Sequence, residues 1–191
     1  MKTVAQTVIE ADRFYTIAAH TGNVIQAVEA SKDGGTVRLG KYDHKPEQEW
    51  SFVRVGEGVY RIKNRFTGKM MDLDMGGVSD GTRVHQWEGA PASSQLWVVE
   101  PSNDGRVKIK SNLAGKLLDA GMSAVNGTPL QIWADVNGEN QYWTINEVTR
   151  KPKTSVKATT VKAKAAAEVV KAAGPVVEKA VKAAKPAAGK A

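Results

Sequence analysis

The chain contains no cysteine among its 191 residues. That excludes disulfides and any zinc site built on thiolates, and it favours a reducing setting. No run of about 18 apolar residues occurs, so no helix is expected to span a membrane. The first twenty residues lack the apolar stretch of about 7–15 residues that a secretory leader carries, because Glu10, Asp12 and Arg13 interrupt it. The expectation is a cytoplasmic chain, or one exported by a non-standard route. Histidine is scarce, and His20, His44 and His85 have no ligand spacing. The stretch from Asp72 to Arg83 puts Gly77 at the sixth place of a calcium loop but Arg83 at the twelfth, where that loop needs Glu. No metal and no cofactor are expected.

Acidic and aromatic residues are nearly missing from one end of the chain. Of the 27 Lys+Arg and 20 Asp+Glu, residues 151–191 hold ten Lys and two Glu, a net of +8, with 13 Ala, no Arg and no aromatic residue. Residues 1–150 carry 17 basic and 18 acidic side chains. The composition therefore describes a near-neutral domain over residues 1–148 and a cationic tail over 149–191. The stretches 163–173 and 176–184 are separated by Gly174-Pro175. Each runs for about ten residues, short of the roughly 12–15 that an isolated helix needs in water, so disorder with transient helix is expected there.

What is present before the tail is a threefold repeat. Tyr15-Thr16-Ile17-Ala18 matches Tyr60-Arg61-Ile62-Lys63 and Val107-Lys108-Ile109-Lys110. Next come Gly22, Gly68 and Gly115, each opening a short run that ends near Gln26, Asp72 or Asp119. Gly35-Thr36, Gly81-Thr82 and Gly127-Thr128 follow. Each unit closes on Gln-x-Trp: Gln48 and Trp50, Gln95 and Trp97, Gln141 and Trp143. The units span about residues 13–58, 59–105 and 106–148.

Apolar and polar residues alternate at period two in these segments, as half-buried strands require. Asp33-Gly34, Asp80-Gly81 and Asn126-Gly127 are turn dipeptides that tolerate positive φ. The expected class is all-β, with about four short strands per unit. Three units are too few for a propeller, which needs about four to eight blades, but they suit a barrel capped by hairpins.

Three Gln-x-Trp repeats at this spacing resemble the ricin-type β-trefoil lectin domain, over about residues 11–148. The resemblance implies a β-trefoil and a non-enzymatic carbohydrate-binding protein, with galactose or N-acetylgalactosamine-type glycans as partners. Trp50, Trp97 and Trp143 recur once per unit and are expected in the core. Trp87 and Trp133 lie six residues after Gly81 and Gly127, and Lys41 holds that place in the first unit by sequence count. In the resembled family this place carries the aromatic platform for a sugar ring. The third unit supplies the whole sugar-contacting set that the resemblance implies: Asp119, Gln131, Trp133, Asn140 and Gln141, with Gln141 mainly supporting. The second unit has the variant set Asp72, His85, Trp87, Ser94 and Gln95. The first reads Gln26, Leu39, Lys41 and Glu47 and is expected to be without a site.

Asp72 and Asp119 sit in different copies of the repeat and are expected to lie far apart, which argues against a catalytic carboxylate pair, and no nucleophile constellation stands out. The tail is similar in composition to the Lys/Ala/Pro tails of linker histones and histone-like bacterial proteins. An alternative function follows from it: binding of nucleic acid or another polyanion through the tail, with the trefoil as scaffold.

Overall fold

The computed structural model describes residues 7–29 and 32–149. The expectations for the cationic tail therefore lie outside the described residues, apart from its first residue. Among the described residues twelve strands follow one another. The first unit, or lobe, holds β1 (Tyr15–Ala18), β2 (Val24–Ala27), β3 (Gly35–Gly40) and β4 (Trp50–Gly56). The second holds β5 (Val59–Asn64), β6 (Met70–Leu73), β7 (Val84–Trp87) and β8 (Trp97–Pro101). The third holds β9 (Val107–Ser111), β10 (Leu117–Asp119), β11 (Gln131–Trp133) and β12 (Thr144–Glu147).

Four strands per lobe agree with the period-two reading. In β9, for example, Val107, Ile109 and Ser111 are buried while Lys108 and Lys110 are half-buried. Sequence reasoning did not anticipate the single 3-10 turns Pro46–Gln48, Ser93–Gln95 and Glu139–Gln141, each ending on the Gln of a Gln-x-Trp. Among the described residues no helix is long and apolar enough to cross a membrane.

The chain is a β-trefoil. Strands β1, β4, β5, β8, β9 and β12 form the barrel through antiparallel pairs β12–β1, β1–β4, β4–β5, β5–β8 and β8–β9. A bridge between Val107 and Trp143 closes it. The hairpins β2–β3, β6–β7 and β10–β11 form the cap. They meet in a threefold pattern, with Thr36 opposite His85, Arg83 opposite Gln131 and Pro129 opposite Arg38.

This pattern corrects two equivalences in the first lobe. Gly40 lies opposite Val24, as Trp87 lies opposite Met70 and Trp133 opposite Leu117. Likewise Arg38 faces Gln26, as His85 faces Asp72 and Gln131 faces Asp119. Gly40 and Arg38, not Lys41 and Leu39, are thus the counterparts. The cause is the turn. Gly34, Gly81 and Gly127 carry φ of +78°, +82° and +91°, a left-handed conformation suited to glycine. Gly35 then stands in the place of Thr82 and Thr128, so matching Gly35-Thr36 to the other Gly-Thr pairs shifts the first lobe by one residue.

Trp50, Trp97 and Trp143 are fully buried at 0% exposure. Each indole satisfies its N–H on a carbonyl of its own lobe: Trp50 Nε1 donates to Ile25 O at 2.9 Å, Trp97 Nε1 to Met71 O at 3.0 Å and Trp143 Nε1 to Leu118 O at 3.1 Å. Around them pack Tyr15, Ile17, Ile62, Ile109 and Ile132. Truncating such a residue removes its burial and leaves a cavity. Trp50→Ala is expected to lower unfolding stability by about 3–5 kcal/mol, read from denaturant titration, and an unchanged midpoint would contradict this packing.

Candidate functional site

The Gln of each Gln-x-Trp makes the same three bonds. In the third lobe Gln141 Nε2 donates to Asp119 Oδ2 at 3.0 Å and to Ala134 O at 2.8 Å, while its Oε1 accepts from Val136 N at 3.1 Å. In the second, Gln95 Nε2 donates to Asp72 Oδ2 at 3.1 Å and to Glu88 O at 2.9 Å, and Oε1 accepts from Ala90 N at 3.0 Å. In the first, Gln48 repeats the set with Gln26 Oε1, Lys41 O and Asp43 N. Each Gln therefore ties the loop after the third strand of its lobe to the side chain at position 26, 72 or 119.

In the third lobe all five sequence-derived residues come together. Asp119 is nearly buried at 2% exposure and accepts four hydrogen bonds. Its Oδ1 takes Gly121 N at 2.7 Å and Gln131 Nε2 at 3.3 Å, and its Oδ2 takes Asn140 Nδ2 at 2.8 Å along with Gln141. Trp133 stands on the neighbouring strand, 39% exposed.

In the second lobe the same places are filled, with different bonding. Asp72 takes Gln95 at one oxygen, while its Oδ1 is buried with no hydrogen-bond partner. Ser94, shorter than Asn140, makes no bond to it. The backbone here turns through Asp74–Gly76 with Met75 at φ +51°, so no counterpart of the Gly121 N–H reaches the carboxylate. His85 lies between two carboxylates, its Nε2 4.0 Å from Asp72 Oδ2 and its Nδ1 3.6 Å from Asp74 Oδ1. It stacks on Trp87 with ring centroids 5.4 Å apart and planes 28° apart. Trp87 is 43% exposed. Asp72, Asp74, Met75, His85, Trp87 and Ser94 line a hollow of about 170 Å³.

The first lobe brings together no such set. A Cβ at Gly40 would stand 2.2 Å from Gln26 Oε1. The amide of Gln26 thus occupies the space beside the place where the other lobes carry an indole. No cluster among the described residues is arranged to hold a metal ion.

Two residues that sequence reasoning missed join neighbouring lobes at these sites. Asp33 of the first lobe accepts from Glu88 N, next to Trp87, at 2.9 Å, and from Lys69 Nζ. Asp80 of the second accepts from Ala134 N, next to Trp133, at 2.8 Å and pairs with Lys116 Nζ at 2.7 Å. The signal was available in the repeated Asp-Gly, but it reads there only as a turn. Lys69 holds the Asp33 carboxyl below its usual value, and Lys116 does the same for Asp80.

A family model described as "Ricin-type beta-trefoil lectin domain-like" matches residues 6–87 and again residues 93–174. No curated protein sequence matches the chain significantly. Among solved structures, the chain is similar to a designed threefold-symmetric protein, ThreeFoil, at 28% identity and TM-score 0.69, over 71% of this chain and 99% of that one. It is similar to part of an exo-beta-1,3-galactanase from Clostridium thermocellum at 27% identity and TM-score 0.69, over 74% of this chain but 31% of the enzyme. It shares its fold with a ricin B-like lectin of Macrolepiota procera solved with lactose, at 22% identity and TM-score 0.64, over 74% of this chain and 100% of the lectin.

The inter-lobe carboxylates give the cap a pH signature. A carboxyl whose folded pKa is depressed stabilises the fold above its unfolded value, and that contribution is lost as pH falls through the folded pKa. The melting temperature is expected to drop below about pH 4. It should drop less steeply in an Asp33→Asn, Asp80→Asn double variant, and equal slopes in the two melting series would show that the pairs contribute nothing.

Proposed function

Because the chain belongs to the ricin-type β-trefoil lectin-like family, we propose that it is a non-enzymatic carbohydrate-binding protein with sugar sites on its second and third lobes. Carbohydrate binding in general is what the family and its lectin neighbours support. The observation that carries the assignment to these two lobes is a pairing present in both. A half-exposed indole stands beside a buried carboxylate on the adjoining strand: Trp87 by Asp72, and Trp133 by Asp119. The apolar C–H face of a sugar buries against an indole face, while its hydroxyls need acceptors and donors at the rim.

In the second lobe the unpartnered Asp72 Oδ1 is the acceptor left for a sugar hydroxyl. A buried polar atom without a partner costs about 1–3 kcal/mol, and a hydroxyl donating to it relieves that cost as binding energy. In the third lobe the Gln131 bond to Asp119, at 3.3 Å the longest of the four, is the one a hydroxyl would replace. Asn140 and Gln131 supply both donors and acceptors. Gln95 and Gln141 hold the carboxylates in place.

We assign galactose-type glycans as the ligand class. In support, the Macrolepiota procera lectin was solved with lactose, and a Polyporus squamosus lectin that shares the fold was solved with Neu5Aca2-6Galb1-4GlcNAc. Two shallow sites on one rigid body gain by avidity on a clustered glycan. The binding domain is residues 1–148 and the tail 149–191. Trp87→Ala and Trp133→Ala singly are each expected to reduce retention on immobilised lactose, and together to abolish it. The circular dichroism should stay that of the parent, because both indoles are half-exposed. Full retention by the double variant would refute the assignment.

A second reading rests on the net charge of +8 over residues 151–191. Such a tail binds polyanions without sequence preference. Binding of the full chain to duplex DNA is then expected to weaken steeply between about 50 and 200 mM salt, and to vanish when 149–191 are deleted. Salt-independent binding in a mobility-shift titration would exclude it.

A further inference from the structure

A larger hollow, of about 400 Å³, borders the sugar hollow of the second lobe. All three lobes line it: Gly34 and Thr36 from the first, Asp74, Arg83, His85 and Trp87 from the second, and Pro129 from the third. Asp74, His85 and Trp87 also line the 170 Å³ hollow over Asp72. The two spaces therefore share one wall, and a ligand longer than a single sugar unit can occupy both.

The chemistry of the larger hollow differs from that of the smaller one. Thr36, Arg83 and Pro129 are threefold equivalents, each facing the neighbouring hairpin in the same register. Only the second lobe places a charge there. Arg83 is exposed, and no ion pair holds it among the described residues. Some cations of the cap and barrel are engaged, Lys69 with Asp33, Lys116 with Asp80 and Arg106 with Asp104 and Glu139, and of those left without an ion pair among the described residues Arg83 is the one that lines this hollow. A guanidinium offers a planar fork of donors matched to carboxylate or sulfate oxygens. Asp74 lies on the shared wall, its Oδ1 3.6 Å from His85 Nδ1, and the smaller hollow is the more acidic of the two because Asp72 lines it as well while Arg83 lines only the larger.

We propose that the second-lobe site takes an anionic oligosaccharide, with a neutral unit stacked on Trp87 over Asp72 and a neighbouring carboxylated or sulfated group held by Arg83. This rests on the sugar reading of the second lobe and adds to it the ligand's charge, its minimum length and its direction across the cap. The third lobe, with Pro129 in place of the cation, takes neutral sugars.

The test uses the full chain carrying Trp133→Ala, so that the second lobe alone reports. Binding of lactose, lactose 3′-sulfate and 3′-sialyllactose is measured by titration calorimetry. The expected result is about tenfold tighter binding of at least one anionic probe than of lactose, the low end for a charge-assisted contact. Whichever probe gains identifies sulfate or carboxylate as the group. In Arg83→Ala the anionic and neutral probes should bind alike, in Arg83→Lys part of the gain should return, and added salt should shrink it.

Equal affinity for all three probes would overturn the inference and leave the sugar reading standing. A gain that survives Arg83→Ala would overturn it too, since another cation would then hold the anion. Binding of none of the three, by the parent chain as well, would remove the galactose-type reading and this inference with it.

Discussion

The structure depends on a double tether inside each lobe. A buried indole donates to the carbonyl of residue 25, 71 or 118, and the Gln two places before that indole donates to the side chain of the next residue, 26, 72 or 119. The two bonds differ in what they contribute. Burial of an indole stabilises the fold by a few kcal/mol, whereas each neutral hydrogen bond adds about 1 kcal/mol net. Burial therefore supplies the energy and the hydrogen bonds supply the position. One short motif thus fixes the core and, one residue along the strand, aims a polar group toward the cap.

What the three lobes do with that aimed group follows from small differences around it. An amide at Gln26 meets Gln48 and fills the space next to Gly40. A carboxylate at Asp119 is saturated by four donors. A carboxylate at Asp72 keeps one oxygen without a donor because Ser94 is a short residue and the chain turns differently at Asp74–Gly76. Sequence reasoning placed the stronger site in the third lobe, where the polar set is most complete. Completeness of that set also means the residues satisfy one another. The second lobe keeps an unmet acceptor on its carboxylate, with a hollow beside it.

The architecture was legible in the sequence because four landmarks recur in order, and a fold of three equal parts leaves few closed arrangements. The buried and exposed tryptophans also separated correctly, since a residue present in all three lobes serves the shared core and one present in two does not. The register of the first lobe was ambiguous in the sequence. Gly34 and Gly35 are adjacent, and the two sequence signals conflict: the turn dipeptides align Gly34 with Gly81 and Gly127, the Gly-Thr pairs align Gly35 with them, and the positive φ of Gly34 decides for the first. The bonding of Asp33 and Asp80 was not legible, since their partners Glu88 and Ala134 lie 55 and 54 residues away along the chain. Spacing within a repeat carries no information about contacts between repeats.

Those contacts make each site the joint product of two lobes. The ring of Trp87 lies 3.7 Å from where a Cβ of Gly34 would stand, and the ring of Trp133 lies 3.7 Å from the same point at Gly81. The Asp just before each of these glycines holds the peptide that follows the indole. A turn in one lobe thereby backs the indole of the next and pins the strand that bears it. A single repeat, however well folded, would present an indole without this backing. The third junction, where Asn126 precedes Gly127, leads to the lobe that has Gly40 in place of an indole. The aspartate latch and the indole are present together at two junctions and absent together at the third. The latch therefore goes with the indole rather than with the cap as a whole, since the hairpin bridges that join the cap occur at all three.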